Sequence, residues 1–132
     1  EEIRSKIIFE IPETSLANPS EEIKKSLLKI KEIGIKVAMC DFGLEYSSLG
    51  KLEEIDFDMI IINHKFLKDI EVNTRVSGML RSVIDIVKNY GAEEILEGVD
   101  SVTKLDILKK VGCKRVQGPV AGEFKTIRDT FM

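Results

Sequence analysis

Short apolar runs, each ending in a polar residue, alternate with amphipathic helical segments along this chain of 132 residues. Ile7-Ile8-Phe9 runs into Glu10, the stretch 35–41 ends at Asp41, and the stretch 59–62 stops before Asn63. Two further strands are expected to end at Glu97 and Gln117. Between them, Ile23, Leu27, Ile30 and Ile33 recur at helical spacing and stop at Gly34. Val76, Leu80, Val83, Val87 and Tyr90 do the same before Gly91, and Ser101 caps a stripe of Val102, Leu105 and Leu108 that stops at Gly112. A shorter helix is expected over 47–54. Asn18 reads as the N-cap of the first helix, with Pro19 at its first position and Glu21 reaching back. Strands apolar on both faces and separated by helices pair in parallel through helical crossovers, which gives an α/β fold. In a βα-barrel the strand ends open on one face, so Glu10, Asp41, Asn63, Glu97 and Gln117 would form an acidic rim where such enzymes do their chemistry.

Length fits a single domain with a real core. The net charge of −3 is spread without a basic patch, which argues against a nucleic-acid polymer as partner. Apolar runs are strand-sized, far short of a membrane span. Nothing at the N-terminus reads as a signal peptide, and a chain opening on Glu1 is expected to lack something upstream. Cys40 and Cys113 have no metal-type spacing and suit free thiols in a reducing cytoplasm. Cys40 itself reads as a small buried side chain and His64 as a solvated loop residue. Glu53-Glu54 and Glu93-Glu94 read as solvated charge pairs at element boundaries.

One segment is more specific. Cys40-Asp41-Phe42-Gly43-Leu44-Glu45-Tyr46-Ser47-Ser48-Leu49 resembles the Asp-Asp-Phe-Gly-Thr-Gly-Tyr-Ser-Ser-Leu signature of EAL domains, bacterial phosphodiesterases that hydrolyse cyclic di-GMP. Phe9-Glu10-Ile11-Pro12-Glu13 resembles the family's Glu-x-Thr-Glu strand end, Glu97-Gly98-Val99-Asp100 its Glu-Gly-Val-Glu, and Gln117-Gly118 its Gln-Gly. The order and spacing agree over about residues 7–122. The resemblance implies a single partial EAL-like domain over 1–132, the C-terminal part of a TIM-type barrel with about five parallel strands. The naming Glu-Ala-Leu strand, its arginine and an asparagine ligand are expected to lie before residue 1.

The family's chemistry is two-metal phosphodiester hydrolysis, with magnesium or manganese held by carboxylates. By resemblance Glu10, Asp41 and Glu97 stand at metal-ligand positions, and Gln117 at one that orients water or ligand. Cys40 replaces an aspartate of the metal-binding pair, and Ile61 stands where active members carry a lysine near the attacking water. Asn63 stands in place of that lysine's partner aspartate. A thiol suits hard ions poorly, and isoleucine relays no proton. These departures imply a degenerate regulatory or interaction module with no cofactor requirement, with magnesium or manganese needed only if it is active. Weak or absent cyclic di-GMP binding is expected; a live phosphodiesterase and a non-hydrolysing receptor are the alternatives. Two open sheet edges and an uncovered inner face imply a homo-oligomer, and a signalling-protein partner is the further expectation. Dimer contacts are expected either there or at the loop of Asp41, Phe42, Gly43, Tyr46, Ser47 and Ser48. A cap formed by Phe124, Ile127, Phe131 and Met132 is the alternative cover.

Overall fold

In the computed structural model, which describes residues 2–43, 49–123 and 128, the apolar runs form one parallel sheet. Its strands, β1 (Ile8–Pro12), β2 (Lys36–Phe42), β3 (Met59–Ile62) and β4 (Glu93–Leu96), lie in chain order. Helices α1 (Glu21–Glu32), α2 (Leu49–Leu52), α3 (Thr74–Tyr90) and α4 (Val102–Lys110) alternate with them. The expected fifth strand is reduced to one parallel bridge between Leu96 and Val116. Leu96 N–H donates to Arg115 O, and Gln117 N–H donates back to Leu96 O at 2.8 Å. Regular ladder pairing lapses beyond it, where Pro119 has no N–H. The contact continues out of register, with Val99 N–H donating to Gln117 O at 3.1 Å and Val120 N–H to Val99 O at 3.3 Å. Gly118 (φ 140) also sits where a Cβ would stand 2.6 Å from both the N and O of Val99.

Helix ends follow local chemistry. Ser20, not Asn18, caps α1: its Oγ accepts the Ile23 N–H at 3.2 Å, and Pro19 lies outside the helix. Glu21 and Glu22 then occupy the first turn, where the helix dipole favours acids. Gly34 (φ 89) and Gly91 (φ 98) supply left-handed stops. Ser101 caps α4 as expected, accepting the Lys104 N–H. β1 runs past Glu10 to Pro12, so Glu10 lies in mid-strand rather than at a tip. A proline is tolerated there because β1 is an edge strand. Of the helix expected at 47–54, residues 49–52 are helical, and 47 and 48 fall outside the described residues.

Alternation along the strands divides the core. Val37, Met39, Ile60, Ile62 and Leu96 join Leu27, Leu80, Ile84 and Leu108 in a helix-side cluster. Ala38, Met59 and Ile61 form a second cluster with Cys40 and Ile95 packed against it. The expectation of a bare inner face is therefore corrected at its centre, where these three side chains close over one another and are buried. Apolar exposure concentrates at the β1 edge, where Ile7, Ile8 and Phe9 are 41, 40 and 44 % exposed. The Phe124–Met132 cap lies outside the described residues except Arg128.

Glu94 corrects the reading of a solvated pair. It is 2 % exposed, and its carboxylate accepts the Lys114 N–H at 3.1 Å, tying the segment after α4 to β4. Alternation explains this, since Glu94 shares the helix side with Leu96. Glu93 stays half-exposed beside Arg115, and Glu54 lies 3.3 Å from Lys24 Nζ. Among the described residues, no helix is long and apolar enough to cross a membrane.

Tyr90, at the end of α3, donates its hydroxyl to Ile55 O at 2.6 Å and accepts the Phe57 N–H at 2.9 Å. One phenol thus anchors the connection into β3. Tyr90→Phe leaves both backbone groups unpaired and is expected to cost about 1–3 kcal/mol. A urea melt that matches the parent would refute that anchor.

Candidate functional site

The register between β2 and β3 slips once. Met39 faces Ile60 and Phe42 faces Ile62, so Cys40 and Asp41 together stand opposite Ile61. This β-bulge holds Asp41 at φ 59, a left-handed conformation that aspartate tolerates better than most residues. The extra residue lets Phe42 turn into the helix-side core, where it is buried. Gly43 (φ 83) follows, and its N–H donates to Glu13 Oε2 at 3.0 Å. A Cβ at Gly43 would stand 2.5 Å from the Phe66 ring, so that ring and the buried Glu13 fix the turn.

Asn63, 3 % exposed, follows β3 directly. Its Oδ1 accepts the Lys65 N–H at 2.8 Å and caps a 3-10 turn over His64–Leu67. Its Nδ2 donates to Asp41 Oδ1 at 3.1 Å and to Glu97 Oε1 at 3.3 Å. The ends of β2, β3 and β4 are thereby joined through one amide. His64 is exposed, as expected of a loop residue, yet its Nδ1 lies 3.7 Å from Glu97 Oε1. Burial first, and then the Asp41 charge, hold the Glu97 carboxyl above the usual range, and His64 opposes both.

Of the residues singled out by sequence, Asp41 and Glu97 come together through Asn63. Glu10 stands apart, exposed in mid-β1 and aligned with Ala38. Gln117 uses its main chain to bind Leu96 and Val99. It also lines an open cavity of about 240 Å³ with Gly118, Ala121 and Glu123. Tyr46, Ser47 and Ser48 lie outside the described residues, whereas Phe42 and Gly43 form the turn just described. Sequence reasoning missed the bulge, the buried role of Glu13 and the bridging amide of Asn63.

Cys40 and Ile61 pack into the same apolar cluster. Burial pushes the Cys40 thiol up to about 11, reinforced by the negative charges of Asp41, Glu10 and Glu97. At neutral pH this side chain is a protonated thiol. Ile61, at 2 % exposure, offers no donor, and the Asn63 amide occupies oxygens of both Asp41 and Glu97. Among the described residues, no three His, Cys, Asp or Glu side chains are grouped to hold a metal ion. This donor set suits a hard divalent cation poorly. Because only the thiolate is nucleophilic, Cys40 is expected to alkylate with iodoacetamide at pH 8 roughly a hundredfold slower than free cysteine. The rate should rise as pH approaches 11. Peptide mass mapping showing ordinary reactivity at pH 8 would contradict this.

Comparison with known proteins agrees with the fold. The EAL domain family model matches residues 1–123. The cyclic di-GMP phosphodiesterase RocR of Pseudomonas aeruginosa is 32% identical over 114 residues, 86% of this chain and 29% of RocR. The cyclic di-GMP phosphodiesterase PdeB of Shewanella oneidensis is 28% identical over 116 residues, 88% of this chain and 14% of PdeB. The chain thus spans less than a third of the length of these curated relatives. Among solved structures, the EAL domain of Mycobacterium smegmatis DcpA superposes with a TM-score of 0.82 at 28% identity, covering 91% of this chain and 54% of that one. Klebsiella pneumoniae BlrP1, solved as a manganese and cyclic di-GMP complex, gives 0.79 at 26% identity, covering 87% and 29%. The chain belongs to the EAL domain family of cyclic di-GMP signalling, and its parallel strands alternating with helices are those of a TIM-barrel-type fold.

Proposed function

We propose that this chain is a non-catalytic EAL module, a regulatory or protein-interaction domain that works in the cytoplasm, where its two free thiols stay reduced. The observation that carries the reading is the pairing of Cys40 with Ile61 in one apolar cluster. By resemblance these positions hold an aspartate and a lysine in active members. An aspartate at 40 would add a charge of the same sign beside Asp41, Glu10 and Glu97, and a lysine at 61 would have to leave water among Ala38, Met59 and Ile95, each at a cost of several kcal/mol. Replacing both by apolar groups removes the charge and keeps the packing. The two departures therefore support each other, and the cluster serves stability where turnover would need charge. Glu10, Asp41 and Glu97 are read as former ligands, and Gln117 as a former water- or ligand-orienting residue.

Three readings compete, and each meets a direct measurement. Incubation with cyclic di-GMP and magnesium or manganese is expected to give no linear product above the blank. Turnover that Glu97→Ala abolishes would establish the phosphodiesterase instead. Calorimetry is expected to give weak or absent cyclic di-GMP binding, because Cys40 suits no hard ion that could bridge to a phosphate and Ile61 offers no cation. A dissociation constant in the low micromolar range would promote the receptor reading.

The proposed partner of the isolated chain is a second copy of itself. Support comes from the β1 edge, where Ile7, Ile8 and Phe9 expose apolar surface beside unpaired strand backbone. Light scattering at tens of micromolar is expected to give at least twice the 14.9 kDa chain mass. A monomer mass would reject self-association.

Coupling between the two positions is also measurable. Cys40→Asp and Ile61→Lys are each expected to destabilise by about 3–5 kcal/mol. The double variant should lose clearly less than their sum. Additive losses would show that the two positions do not act as a pair.

A further inference from the structure

Asn63 is asked to satisfy two carboxylates that approach the same point from different strands. Its amide cannot be turned over to do anything else. Lys65 N–H requires an acceptor at Oδ1, 2.8 Å away, which leaves Nδ2 facing Asp41 Oδ1 and Glu97 Oε1. The amide nitrogen carries two hydrogens, one for each carboxylate. Asn63 is buried, Asp41 and Glu97 are only partly buried, and water reaches the site little from the Asn63 side. Two carboxylates meeting at such a point repel unless something positive or donating stands between them.

We propose that the Asn63 amide is a built-in substitute for a cation at the Asp41–Glu97 pair, closing the ends of β2, β3 and β4 without metal. The argument turns on what its nearest isostere would do. An aspartate at 63 could still accept the Lys65 N–H and keep the 3-10 turn capped. It could not donate, so three carboxylates would meet, and short of one taking up a proton their repulsion would call for a cation. Asparagine differs from aspartate at one atom, and that atom decides whether the junction is held by hydrogen bonds or by an ion. Asn63 is thus a positioning residue for the junction, acting through the two acids it bridges. The inference deepens the non-catalytic reading and rests on it, but its test reads stability and ion binding. A chain found to hydrolyse cyclic di-GMP would sink the functional reading through product, whereas this inference fails through metal dependence.

The experiment compares the parent with Asn63→Asp by thermal melts in chelator and in millimolar manganese, with a manganese calorimetric titration of each. The parent midpoint should not move with manganese, and its titration should show no site. Asn63→Asp should melt at least about 5 °C lower in chelator, recover with manganese, and bind the ion in calorimetry. If the variant is unfolded in chelator, the same titration reads refolding, and rescue supports the proposal. A parent stabilised by manganese overturns it. So does a variant as stable as the parent in chelator, and so does a destabilised variant that manganese neither restores nor binds.

Discussion

The junction where three strand ends meet in a single buried amide is the constraint on which the rest of the site depends. β2 can reach it only because the bulge at Cys40 and Asp41 inserts an extra residue opposite Ile61. Without that slip Phe42 would leave the helix-side core and Asp41 would lose its line to Asn63. The left-handed backbone of Asp41 is the local cost, of order 1–3 kcal/mol, and it is offset by burial of Phe42 and by the Gly43–Glu13 hydrogen bond. Strain of this kind persists where surrounding contacts over-determine the conformation. Here those contacts are the Phe66 ring, the Glu13 carboxylate and the Asn63 amide.

The same junction separates two chemistries. On its rim Asp41, Glu97 and His64 remain polar and partly open to water. One residue deeper, Cys40 and Ile61 belong to an apolar cluster with Ala38, Met59 and Ile95. A protonated thiol and an isoleucine can neither hold a hard ion nor move a proton. What they contribute is packing between β2 and β3, in the middle of the sheet. The interior between β2 and β3 at this point is ordinary core.

Much of the frame was legible from sequence because it rests on local signals. Ser101, Gly34 and Gly91 marked helix ends through chemistry that is complete within a few residues. The strands were legible from apolar runs, and their parallel pairing from the helices between them. Failures came where non-local contacts decide. Asn18 looked like the cap from its place before Pro19, and the bond that Ser20 accepts from Ile23 shows that the helix starts later. Glu94 looked solvated until the turn at Lys114 folded back onto it. The fifth strand looked continuous because no local signal shows that the backbone bonds around Pro119 pass to Val99 out of ladder register.

The site was half legible. The motif order pointed to Asp41 and Glu97, which the fold brings together, whereas the readings of Cys40, Ile61 and Asn63 rested on resemblance alone. That Asn63 is a donor to both acids depends on a register slip no propensity reveals. Crystals grown in manganese, with data collected at its absorption edge, test this account most directly. No anomalous peak is expected between Asp41 and Glu97, with the Asn63 amide in hydrogen-bond contact with both. A peak within ligand distance of both carboxylates, with Asn63 turned away, would contradict it.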